Sequence, residues 1–124
     1  MSEIIYHKEL ALSGRWHTFT LMEQLGNVGS EVNRTMMHFE KNKTEAALNA
    51  FYRALELLDL TINDPRWINR LKELVRMREV MCDLFVGDNE FNTSYDFLKK
   101  YFYHFGYAAR NEREKKLINK QNLL

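Results

Sequence analysis

Proline occurs once and glycine five times in 124 residues, far too little turn-forming material for the many short connections of an all-β fold. Cysteine also occurs once, as Cys82, so neither an intramolecular disulfide nor a cysteine zinc site can form. No apolar run approaches the ~20 residues of a membrane-spanning helix, and the opening MSEIIYHKEL is too polar for a secretory signal. A charge excess is missing as well. Eighteen Lys and Arg against seventeen Asp and Glu give +1, so the whole molecule has no attraction for nucleic acid or anionic membrane, although a local patch remains open. These absences lead to the expectation of one soluble, cytoplasmic domain over residues 1–124.

What is present suits a helical core. Hydrophobic residues make up 45% and charged residues 28%, and a chain of this length buries about two-thirds of its unfolded surface without a staple. The few turn signals divide the chain into four long segments. The first runs from Ser13-Gly14 to about Asn42, and the second from Thr44, whose hydroxyl can cap the first turn, to about Asn63. The third opens on Asp64-Pro65-Arg66-Trp67, an N-cap followed by proline at the first helical position. It closes at Gly87, read as a left-handed C-terminal residue. The fourth begins at Thr93 or Ser94 and runs past Arg110. The dozen residues before the first segment read as an arm laid on the rest.

Each segment carries an apolar stripe at three- and four-residue spacing. The stripes are Leu21, Leu25, Val28, Val32, Met36 and Phe39; then Ala47, Phe51, Leu55, Leu58 and Ile62. The third segment shows Trp67, Leu71, Leu74, Val75, Cys82 and Phe85, and the fourth Tyr95, Leu98, Phe102, Phe105 and Ala109. Short connections between such helices predict an all-α, four-helix, up-down antiparallel bundle.

Motifs of bundle enzymes are incomplete. No histidine has a glutamate three residues before it, as di-iron carboxylate bundles require. Glu56-x-x-Asp59 matches half of the magnesium site of all-α nucleotide pyrophosphohydrolases, but no Glu-x-x-Glu supplies the other half. No arginine has a histidine at the spacing of HEPN-type ribonucleases, and there is no phosphate loop, HExxH or serine elbow. Cys82 falls on the core stripe and reads as a small buried hydrophobe. Gly87 to Asn92 reads as an acidic turn anchored by Phe91, without the ligand spacing of a calcium loop. No cofactor, metal site or catalytic residue is therefore expected.

Three constellations remain. Arg78 lies at the centre of the third stripe and needs a carboxylate, with Asp59 and Glu31 as the candidates; as a buried pair, its loss to alanine is expected to cost ~3–5 kcal/mol. Gly26 and Gly29 in the first helix point to close approach of another helix, since each costs up to ~1 kcal/mol relative to alanine. The fourth helix holds seven aromatic residues from Tyr95 to Tyr107. Of these, Tyr103 and Tyr107 project away from the stripe beside Lys99, Lys100 and Arg110. Such a face suits a protein interface or stacked bases with bound phosphates. The third helix adds an apolar flank at Met77, Val80, Met81 and Leu84, off its main stripe.

The stretches EQLGNVGSEVNR (23–34), ELLDLTINDPRW (56–67) and REVMCDLFVGDNE (78–90) resemble those of short prokaryotic helical-bundle proteins without an assigned activity. Gln24-Leu25 and Phe51-x-x-Ala54-Leu55-Glu56 are similar, more faintly, to four-helix proteins encoded as ribosomal-RNA insertions and to retroelement accessory bundles. That resemblance implies self-association into rings and nucleic-acid contact. Where those proteins carry paired arginines after the Gln-Leu, this chain has Gly26 and Asn27. The expected role is a non-catalytic, self-associating interaction module, a dimer or larger homo-oligomer. The alternatives are another protein partner, a nucleic-acid-binding module on Tyr103, Tyr107, Lys99 and Arg110, and a ligand-binding protein or enzyme centred on Arg78.

Overall fold

The computed structural model describes residues 6–122, and among them every regular element is a helix, without a strand. The elements are α1 (Lys8–Ser13), a 3₁₀ turn at Arg15–Thr18, α2 (Leu21–Glu40), α3 (Thr44–Ile62), a second 3₁₀ turn at Pro65–Arg70, α4 (Leu71–Val86) and α5 (Tyr95–Asn122). None of these helices is long and apolar enough to cross a membrane.

Helix starts differ from the sequence expectation where local capping decides them. α2 begins at Leu21, not after Gly14. Thr20 accepts a hydrogen bond from the Glu23 N–H and Glu23 Oε1 accepts one from the Thr20 N–H, a reciprocal capping box that satisfies two otherwise orphaned donors. Thr44 does not cap α3; the N-cap is Lys43, whose side chain makes no capping bond. Ser94 caps α5, accepting from the Phe97 N–H at 3.1 Å. Gly87 is extended rather than left-handed. Helix α4 is closed instead by Asp83, whose carboxylate accepts the N–H groups of Glu90 and Phe91. The left-handed conformations after it fall on Asn89 and Asn92. Phe91 does not anchor this loop in the core: it is exposed, with the Arg76 guanidinium 4.5 Å above its ring.

α2 is the helix on which both α3 and α5 pack most closely. Its stripe Leu21, Leu25, Val28, Val32 and Met36 is buried, with Phe39 half-buried against the cluster. Phe51, Ala54, Leu57 and Leu58 of α3 and Leu98, Phe102 and Phe105 of α5 complete it. α4 enters through a different face from the one expected. Met77, Val80 and Met81 are buried with Leu74 and Phe85, whereas Val75 is exposed and Leu71 and Cys82 are half-buried. The supposed extra flank is the core stripe, and Leu84 packs against its edge. Phe85 ties the helices together, its ring 5.6–6.1 Å from those of Phe39, Phe51 and Tyr95.

The arm lies against α3, as far as the described residues reach. Tyr6 Oη donates to Asn49, and the backbone N–H groups of Tyr6 and His7 donate to the Glu56 carboxylate. Residues 1–5 of the arm are outside the described residues.

The 3₁₀ turns and the ends of α2 and α3 are joined by a buried polar network. Gln24 is fully buried. Its amide donates to the Trp16 carbonyl and to Asp64 Oδ2, and its carbonyl oxygen accepts from Trp67 Nε1 at 2.8 Å. The Trp16 indole donates to Thr61 Oγ1. A buried amide is tolerated only when its donors and acceptor are matched, as they are here.

Candidate interaction face on the last helix

The candidate residues of the sequence separate into three places. Arg78 does pair with Asp59, Nε to Oδ1 at 2.7 Å and the second guanidinium nitrogen to Oδ2 at 3.4 Å. The pair is not buried: the two side chains are 38% and 37% exposed. Solvent screening at that exposure limits such a pair to ~0.2–1 kcal/mol, well below the value expected for a buried one. Arg78 also reaches Cys82 Sγ at 3.8 Å, and desolvation pushes the thiol pKa above its ordinary value, away from a thiolate nucleophile. Glu31 belongs elsewhere. It is buried on α2 and held between Arg34 at 2.6 Å and Arg53 at 3.0 Å. Arg78, Asp59 and Glu31 therefore do not form one site.

Gly26, Gly29, Lys99, Tyr103 and Arg110 do come together, along an open groove of roughly 520 Å³ between α2 and α5. The glycines set its floor. A Cβ on Gly29 would lie 2.5 Å from Phe102 Cβ, and one on Gly26 would lie 3.2 Å from the Gly106 Cα. The backbones of α2 and α5 meet here because Gly26 and Gly29 have no side chain to hold them apart, whereas a Cβ on Gly106 would meet nothing within 4 Å. Asn27, Ser30 and Asn33 form the α2 wall. Arg113 extends the α5 wall, and among the described residues Lys99, Arg110 and Arg113 have no ion-pair partner, whereas Lys100 is held by Asp96.

α5 carries large apolar groups on a second side as well as on its inward one, which no single stripe in the sequence conveyed. Its inward stripe is Leu98, Phe102, Phe105 and Ala109, all buried, and beyond Ala109 no residue of the helix is buried. At helical spacing that side continues through Glu112, Arg113, Lys116 and Lys120, charged where the stretch up to Ala109 is apolar. Large apolar groups also lie exposed off that stripe, Tyr103 and Tyr107 within its span and Leu117 and Ile118 beyond it. Tyr103 is 66% exposed, Tyr107 52%, Leu117 60% and Ile118 54%. Tyr103, Tyr107, Arg110, Glu114 and Leu117 follow one another at four, three, four and three residues, the succession of a coiled-coil seam. The two tyrosine rings stack at 6.5 Å with 22° between their planes and make a flat aromatic surface.

The network around Asp64 is what sequence reasoning missed most completely. Asp64 is buried and accepts hydrogen bonds from the backbone N–H and the guanidinium of Arg66, and His17 Nδ1 lies 3.1 Å from Oδ2. The Arg66 guanidinium, foremost among these partners, holds the Asp64 carboxyl well below the usual carboxylate range. The Asp-Pro-Arg-Trp sequence signalled the cap but not the partners, because Trp16, His17 and Gln24 are some forty residues away along the chain. Among the described residues no three His, Cys, Asp or Glu side chains gather where they could hold a metal ion. No family model, curated protein or solved structure matches this chain.

Proposed function

We propose that the protein is a non-catalytic four-helix up-down bundle that self-associates through the outward stripe of α5. The antiparallel order is supported by how contacts run along each pair. Phe51 meets Phe85 where Asp59 meets Arg78, and Phe85 meets Tyr95 where Glu73 meets Tyr101. Gly26 meets Gly106 where Gly29 meets Phe102. In every pair, rising residue numbers on one helix face falling numbers on the other.

The observation that carries self-association is the second, exposed apolar side of α5, Tyr103, Tyr107, Leu117 and Ile118. A helix stabilised only by its own bundle keeps its apolar residues on the bundle side. α5 instead exposes Tyr103 and Tyr107 beside its buried stripe and Leu117 and Ile118 beyond it, and an isolated helical stretch as short as the one past Ala109 is marginal in water. A second surface that covers Tyr103, Tyr107, Leu117 and Ile118 resolves both conditions, and a self-complementary patch is the commonest solution among soluble oligomers. The buried Met77, Val80 and Met81 take no part in it. Sedimentation equilibrium at micromolar concentration is expected to give at least twice the chain mass of 14.9 kDa, and Tyr103→Glu combined with Tyr107→Glu to reduce it to the monomer. A monomeric wild-type protein rejects the proposal.

The three unpaired cations beside an exposed tyrosine ring favour one second reading, a single nucleic-acid strand laid along the groove. Binding of a fluorescent oligonucleotide that weakens steeply with salt and is lost in Arg110→Ala supports it; no binding at low salt excludes it.

A further inference from the structure

We infer that the surface seated on the α5 stripe is α5 of a second copy, antiparallel across a twofold axis, with Arg110 of each copy against the partner subunit's Glu114. This inference rests on the self-association proposed above and adds to it a register.

The stripe holds two charges between its apolar ends, Arg110 and Glu114, one turn apart. Neither has an ion-pair partner among the described residues. Within the helix they stand in the less favourable order, cation before anion at four residues. A parallel pairing of two such helices would set Arg110 on Arg110 and Glu114 on Glu114. An antiparallel pairing sets opposite charges together twice. The same register lays Tyr107 against the partner subunit's Leu117. An aliphatic side chain lands on the stacked aromatic surface. Arg113, Lys116 and Lys120 lie off the stripe, so the basic residues of the two tails are not forced together. The bundles themselves fall on opposite sides of the paired helices, because each is attached through the other face, Leu98 to Ala109.

Charge reversal tests the register directly. Arg110→Glu and Glu114→Arg are each expected to weaken dimerisation at least ~10-fold, since each sets like charges together at both ends of the contact. Mixing the two variants is expected to give a heterodimer as tight as the wild-type dimer, because every facing pair is then opposite in charge. The combined variant Arg110→Glu with Glu114→Arg is likewise expected to dimerise alone. Tyr107→Cys combined with Leu117→Cys should cross-link under mild oxidation, with the wild-type protein, which carries Cys82, as the control. Helical circular dichroism checks that each variant is folded. A dimeric wild type whose affinity is unmoved by either single reversal, or a double cysteine variant that does not cross-link, overturns the register and leaves self-association standing. A monomeric wild type overturns both.

Discussion

At the scale of the residue, Asp64 and Arg78 show how burial decides what a charge contributes. Both make bidentate contacts with an opposite charge, yet Asp64 is buried and also satisfies Gln24, whereas Arg78 and Asp59 share their contact with water. Asp64→Asn is expected to cost ~1.5–3 kcal/mol at neutral pH, the range for hydrogen bonds to charged groups. The effect depends on pH in a definite direction. The unfolded carboxyl takes up its proton near its ordinary pKa of about 3.9, whereas the folded one, gripped by Arg66, resists it to lower pH. The stabilisation is therefore complete above about pH 4 and is lost as the pH falls through the folded value. Urea unfolding at pH 7 and in steps below pH 4 should show the gap between wild type and Asp64→Asn narrowing with acid. A gap that stays constant would mean that Asp64 acts through shape alone.

Among the elements, the packing of α2 on α5 gives two glycines opposite expectations. Gly29→Ala drives a Cβ to within 2.5 Å of Phe102 Cβ, whereas Gly106→Ala meets nothing within 4 Å. Overpacking costs ~1–3 kcal/mol, whereas relieving a helix-interior glycine gains up to ~1 kcal/mol. Thermal unfolding should therefore place Gly29→Ala below the wild type and Gly106→Ala at or above it; shifts of the same sign would refute the close crossing. The four long helices and the close-packing role of Gly26 and Gly29 were legible in the sequence, because apolar period and misplaced glycines are local signals. The inward face of α4 was not. That helix is apolar over a wide arc, with Leu71, Leu74, Val75, Met77, Val80, Met81, Cys82, Leu84 and Phe85 all available, and periodicity alone does not choose between two stripes rotated by a residue. Nor was the start of α2 read correctly. The Thr20-x-x-Glu23 box was present, but Gly14 ahead of it drew the boundary.

For the whole molecule, the partners of Asp64 and the end of the buried stripe of α5 depend on contacts between distant parts of the chain, which no local pattern encodes. Tyr103 and Tyr107 were recognisable as outward-facing, but that the buried stripe ends at Ala109 while Leu117 and Ile118 stay exposed emerges only from the packing. The 28 residues of α5 extend about 42 Å at ~1.5 Å per residue, and the stretch that no core covers carries Arg113, Lys115, Lys116 and Lys120, all exposed. In proteolytic terms this is a tether of trypsin sites on a helix that opens at little cost. A lone chain is expected to be clipped after these residues while the bundle up to Arg110 survives, so dilute protein should shorten to a stable fragment within minutes. Concentrated protein, with each tail shielded by its neighbour, should resist the same dose, and mass spectrometry of the two digests would read assembly directly from the cut sites.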